Sequence, residues 1–363
     1  MALIKCSECG KEVSSSAKTC PHCGIKINFK KCPECGKKLK GDETNCPECG
    51  FPLEKKTATN LITENLDKIT GAKSENYVTV KDLFKDTFKK HTDEDIDLVF
   101  VCGTEQTTPK IKDINPKKAS AWVYFKMLIF FLIAYIPTYV GYIYYGNSNF
   151  LPAMIILAAF AVPVTVLVFF FEINLFRNLP FHKVLKYFII GGGASLFVAI
   201  LYYSLPFLEQ KTATLNFEGA FFVSLVEEVV IIAFFLFRNK KCNYILNGLL
   251  VGAAVGAGFG AFETAGYILR YGMNNGIETM LQVIKFRGLL APGMHVAWAT
   301  IEGGALMYVK GFDKLDKKHL NDKRFLLICI IPLVLHWFWD LPIQAPFELF
   351  RVGLTTAAWV VII

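Results

Sequence analysis

The chain has 363 residues, 53% of them hydrophobic, with a formal net charge of +8 and a mean hydropathy of +0.39. Residues 1–119 hold 21 Lys+Arg and 18 Asp+Glu of the totals of 39 and 31, which leaves 18 and 13 for residues 120–363, where long uncharged runs intervene. This division excludes a uniformly soluble chain, and the positive excess reads as loop charge between membrane spans rather than as a nucleic-acid surface.

The front of the chain is repeated. Cys6-x-x-Cys9 and Cys20-x-x-Cys23 recur as Cys32-x-x-Cys35 and Cys46-x-x-Cys49, each cysteine at an offset of 26 residues. Four thiolates per repeat are enough to close a tetrahedral zinc site, so two structural zinc ions are expected. Each unit is too short for its own core, and metal binding would supply most of its folding energy. Met1-Ala-Leu-Ile-Lys-Cys6 lacks the apolar stretch of a signal peptide, so the N-terminus is expected in the reducing cytoplasm, which suits thiolate ligands. Units of this form resemble the zinc-ribbon family over about residues 4–51. No aromatic-and-basic face stands out, and tethering to a membrane domain favours a cytoplasmic protein partner over nucleic acid. His22 is expected to be a spectator.

Residues 53–76 read as a linker and residues 77–118 as a small soluble subdomain. Within it, Leu83, Phe84 and Phe88 share one helical face, and the apolar run Ile96 to Val101 forms a second helix or a strand. His91 is expected to be solvated. The domain reading is then ribbon 1 at residues 1–27, ribbon 2 at 28–52, the linker at 53–76, the subdomain at 77–118 and the membrane domain at 119–363. The fold class is mostly α: a polytopic helical membrane domain preceded by two zinc ribbons and a short soluble piece.

About eight spans are expected, near 121–145, 151–171, 184–207, 217–237, 244–269, 289–309, 325–342 and 348–363. Twelve Lys/Arg lie in alternate connections, from Arg177 to Arg324, against five in the others, Lys211, Arg270, Lys285, Arg287 and Arg351. That places both termini inside a multi-pass cell-membrane protein.

Four of these spans carry polar residues where lipid is expected. Phe222-Val-Ser-Leu-Val-Glu227-Glu228-Val-Val-Ile-Ile holds two adjacent carboxylates, and Gly256-Ala-Gly-Phe259-Gly-Ala-Phe-Glu263 holds a third. Gly293-Met-His295 adds an imidazole, and His336-Trp-Phe-Trp-Asp340 adds a second with a carboxylate one turn on. Ionisable side chains inside a membrane mark function by default. At 1.5 Å per residue, all lie within a layer about 15 Å thick toward the outer side. Gly252, Gly256 and Gly260 recur every four residues and allow close helix packing.

Such a set can hydrolyse an amide in two ways. A carboxylate can act as general base on water while imidazole stabilises the oxyanion, or His295, His336 and a carboxylate such as Glu263 can hold a catalytic zinc ion. Asp340 either joins the site or fixes the tautomer of His336.

The ordered set Val226-Glu227-Glu228, the glycine-rich run from Gly248 to Glu263, Gly293-Met-His295 with Trp298 and Thr300, and His336 to Asp340 resembles PrsW-type intramembrane proteases, relatives of the CAAX-protease and bacteriocin-processing family. The resemblance covers about residues 220–342. It implies cleavage of single-span membrane proteins, such as an anti-sigma factor, in a bacterial membrane. By resemblance Glu227 activates the water with Glu228 beside it, and Glu263 stands where the wider family has His. That family usually carries Lys or Arg a turn after its Glu pair; here Ile231 and Ile232 occupy the place. Two other readings remain: an inactive scaffold, immunity or signalling protein of the same fold, and a transporter relaying protons or ions. Glu302 is expected on the face of His295 but deeper, Glu172 beside a loop cation, and Trp298, Trp337 and Trp339 at a substrate groove or as interfacial anchors.

Overall fold

The computed structural model describes residues 3–5, 11–14, 21–23, 37, 48, 80–114, 119–206, 216–235, 242–342 and 347–363. The chain divides into two compact units, Met1–Ser74 and Glu75–Ile363. In the first, β1 (Leu3–Lys5) pairs antiparallel with β2 (Glu12–Ser14), Ile4 opposite Val13. Lys37 forms an ion pair with Glu48. Cys23 is exposed, whereas Cys6, Cys9, Cys20, Cys32, Cys35, Cys46 and Cys49 lie outside the described residues, as does the linker.

The second unit opens with α1 (Val80–Phe84) and α2 (Asp93–Phe100). The first helix is shorter than its pattern implies: Leu83 is buried, but Phe88, beyond the helix end, is 85% exposed. Its ring meets Phe125 edge-on. The apolar run after Ile96 resolves as helix. His91 is half-buried rather than freely solvated: its ring stacks on Trp122 at 3.6 Å, with Nε2 2.9 Å from the Asp86 carbonyl.

The long helices follow. They are α3 (Val123–Ile143), α4 (Leu151–Ile173), α5 (Phe181–Lys186), a π-helical segment (Tyr187–Gly192), α6 (Gly193–Tyr203) and α7 (Phe217–Phe235). Then come α8 (Ile245–Leu290), α9 (His295–Lys310), α10 (Lys317–Leu320), α11 (Lys323–Asp340) and α12 (Phe347–Ile362). The described residues of each expected span are largely helical, and among the described residues four stretches are long and apolar enough to cross a membrane: Val123–Ile143, Ser148–Ile173, Phe181–Tyr203 and Ile245–Lys310, the last 66 residues long. The expected eight spans are not confirmed on this criterion. α7 fails it because it carries Glu218, Glu227 and Glu228, and α11 because it carries Lys323, Arg324 and Asp340. The connection expected after residue 269 is helical too. α8 continues to Gly276, whose φ of 82° breaks it, and a second arm runs to Leu290.

Helix ends explain two further residues. Glu172 on α4 accepts the backbone N–H groups of Trp122, Val123 and Tyr124 at 2.8–2.9 Å, capping the N-terminus of α3 instead of meeting a loop cation. Three otherwise unpaired donors and the positive end of the helix dipole favour a carboxylate there. Arg177, at a φ of 46°, donates to the carbonyls of Leu98, Val99 and Val101, where α2 ends.

The core lies around α8. Its first arm is sandwiched between α9 and the π-helical segment, with Gly248, Gly252 and Gly256 facing α9. A Cβ on these glycines would strike the carbonyl oxygens of Gly303, Ala299 and His295 respectively. Close backbone approach of this kind is how small residues hold membrane helices together. Substituting Gly252→Ala should cost about 1–3 kcal/mol, the usual range for overpacking. Thermal unfolding in detergent would register it, whereas Gly266→Ala, with nothing within 4 Å of its Cβ position, should leave the transition near wild type.

Candidate intramembrane active site

Four helices supply the ionisable groups, and α6 adds a phenol. Glu227 and Glu228 project from α7, Glu263 from the first arm of α8, His295 from the first residue of α9, and His336 and Asp340 from α11. Glu227, Glu228, His295 and His336 are all buried. His295 packs over Gly260 of α8, where a Cβ would meet the imidazole Cδ2 at 3.7 Å, an ordinary van der Waals contact.

All six expected site residues come together in one continuous cluster. Glu227 Oε2 lies 3.6 Å from His295 Nε2 and 3.6 Å from His336 Nε2. Glu263 Oε2 is 3.3 Å from His295 Nε2 on one flank, and Asp340 Oδ2 is 3.4 Å from His336 Nε2 on the other. Behind this layer His336 Nδ1 lies 2.6 Å from Glu228 Oε1. That contact holds the His336 ring in the orientation that turns Nε2 toward Glu227.

Three more residues complete the site, and two of them had no sequence signal. Tyr203, at the end of an apolar helix, donates its hydroxyl to Glu227 Oε1 at 2.5 Å and so turns Oε2 toward the imidazoles. Arg287, on the second arm of α8, forms an ion pair with Glu263; its Nε donates to Thr264 Oγ1 at 3.2 Å, and the guanidinium lies 4.3 Å over the Tyr267 ring. Read from sequence as a loop cation, it brings the cluster a positive charge that Ile231 and Ile232 do not. Trp298 is neither groove nor anchor. It is buried and stacks on His336 at 4.1 Å, while Phe259 packs on His295 at 4.4 Å. Trp339 is buried against Trp298, and Trp337 donates Nε1 to the Phe217 carbonyl.

Glu227, His295 and His336 form a group of ligand-type atoms all within 4.8 Å of one another, and among the described residues it is the group with metal-site spacing. Glu263, expected as a third ligand, instead flanks this triad through His295.

Residues 179–363 match the family described as PrsW family intramembrane metalloprotease. The chain belongs to that family. Two curated proteins called Protease PrsW are similar: one from Halalkalibacterium halodurans, 27% identical over 187 residues, covering 50% of this chain and 80% of the relative. The other, from Shouchella clausii, is 26% identical over 191 residues, covering 51% and 81%. Residues 6–50 match the double zinc ribbon, so zinc belongs to the N-terminal unit. No solved structure matches. The chain is thus a membrane protease of the PrsW family carrying a double zinc ribbon, and the scaffold and transporter readings give way to that assignment.

Tyr203→Phe removes one hydrogen bond to a carboxylate and no bulk. Such bonds contribute about 1.5–3 kcal/mol, so cleavage efficiency should fall roughly 10- to 100-fold with the unfolding transition little moved. Unchanged kcat/KM would show that the phenol does not set the position of Glu227.

Proposed function

We propose that this PrsW-family protease cleaves single-span, membrane-anchored proteins, anti-sigma-factor-like substrates among them, near the outer face of a bacterial membrane. In this reading Glu227, His295 and His336 hold a catalytic zinc ion, and Glu263 takes the proton of the attacking water. The supporting observation is the spacing of the three converging atoms. Zinc bound tetrahedrally at about 2.0–2.1 Å sets N and O ligands roughly 3.3–3.4 Å apart, and the two His–Glu227 separations here are 3.6 Å. When bound, zinc acidifies water and polarises a carbonyl.

The chain's own residues do the rest. Tyr203 and Glu228 hold Glu227 and His336 in the orientations that face each other. Glu263 lies outside the triad yet next to His295, which places it to act as general base. Arg287 beside it offsets its charge. Water activation, which resemblance gives to Glu227, passes to Glu263 because Glu227 Oε2 is one of the converging atoms. Asp340 backs His336 from the other side. The ribbons, with both termini, lie in the cytoplasm and recognise a protein partner there.

Purified full-length protein, assayed for zinc and for cleavage of a panel of single-span substrates in lipid, tests this. His295→Ala and His336→Ala should each bind one zinc ion fewer per chain and lose cleavage. Glu263→Gln should keep its zinc and lose about 10²- to 10⁴-fold in rate, the usual contribution of a general base. Equal zinc in wild type and both histidine variants would reject the metal assignment.

A further inference from the structure

The two histidines of the cluster are held in different ways. His336 has Glu228 behind it, 2.6 Å from Nδ1. His295 Nδ1 is buried with no hydrogen-bond partner among the described residues. His295 is also the first residue of α9, and no side chain caps that helix. Its place therefore depends on ring packing and on the short helical turn that leads into it, Ala291–Gly293. That turn is gripped from α12. Trp359 donates Nε1 to the Pro292 carbonyl at 3.0 Å. Gly293 lies so close to Thr355 that a Cβ there would collide with the threonine side chain. The indole of Trp359 is braced in its turn: it stacks on Phe170 at 5.7 Å and meets Phe169 edge-on at 5.8 Å. α12 is also tied to the helix that carries the other histidine, since Arg351 donates to the Trp339 carbonyl at 2.8 Å.

We propose that Trp359 is a positioning residue for His295. Its N–H holds the Pro292 carbonyl and, with Thr355 against Gly293, fixes where α9 begins. That sets the height at which His295 Nε2 meets Glu227, at 3.6 Å, and Glu263, at 3.3 Å. The turn transmits the contact because proline has a fixed φ and yields little. A misplacement of about 1 Å at a reacting group can cost about 100-fold in rate. Trp359 acts through this turn and not on the reacting atoms. The inference rests on the reading of His295 as a member of the site.

The test uses full-length protein in lipid. Trp359→Phe keeps a ring against Phe170 and removes the N–H donor. Its kcat should fall about 10- to 100-fold with KM within about twofold of wild type, because the turn and not substrate binding is disturbed. Zinc held per chain at a fixed chelator concentration should approach the one-ion deficit expected of His295→Ala. Gly293→Ala presses the same turn against Thr355 and should lose kcat in the same manner. Ile362→Ala trims α12 one turn further on; it should lower the thermal transition and leave kcat and zinc near wild type. A Trp359→Phe enzyme with kcat within about threefold of wild type, or losing no more than Ile362→Ala, overturns the assignment. Were His295→Ala to retain full zinc and cleavage, the reading of the site itself would fail instead.

Discussion

The structure depends on how closely α8 approaches α9. Along this contact Gly248, Gly252 and Gly256 place bare backbone against the carbonyl oxygens of Gly303, Ala299 and His295. The last of those carbonyls belongs to the residue that supplies the first imidazole. The same contact that packs the two helices therefore sets His295 at a fixed height against Glu263, two turns further along α8. In a membrane there is little hydrophobic gain from bringing helices together, so dispersion and close fit must do it. The glycines make that fit possible. They also bring α8 and α9 close enough for Glu263 to meet His295.

Close packing creates an electrostatic problem. Four carboxyl groups and two imidazoles occupy a region from which water is largely excluded, and charges there are costly unless paired. The protein distributes the partners: Tyr203 for Glu227, His336 for Glu228, Arg287 for Glu263. Aromatic rings of Trp298 and Phe259 wall the two histidines and limit their rotation. Hydrogen bonds in such surroundings are strong when satisfied and expensive when not. Catalysis benefits because groups held this way need little reorganisation when the reaction proceeds.

Much of the site was legible from residue type alone. Glu227, Glu228, Glu263, His295, His336 and Asp340 stood out because charge inside an apolar run has few innocent explanations. The glycine period announced the close contact for the same kind of reason: only backbone-to-backbone packing requires it. What could not be read was contact made at long range by ordinary-looking residues. Tyr203 resembles any aromatic at a helix end, and Arg287 resembles a loop cation until the second arm of α8 folds back. Glu172 was placed beside a cation because sequence does not show that three backbone donors at the start of α3 will face it. His91 was read as solvated because its stacking partner, Trp122, lies 31 positions away and meets it only once α1 and α3 have packed. The count of membrane crossings was blurred by function itself, since the charged residues of α7 and α11 are what remove those helices from the purely apolar class.

The central claim is that α7, α9 and α11 present one carboxylate and two imidazoles to a common point in the membrane. Diffraction from crystals of the full-length chain grown in lipid, recorded across the zinc absorption edge, locates every bound zinc directly. An anomalous peak in contact with Glu227, His295 and His336, separate from those of the ribbons, is expected. Zinc confined to the ribbons, with these three side chains facing different surroundings, would contradict it.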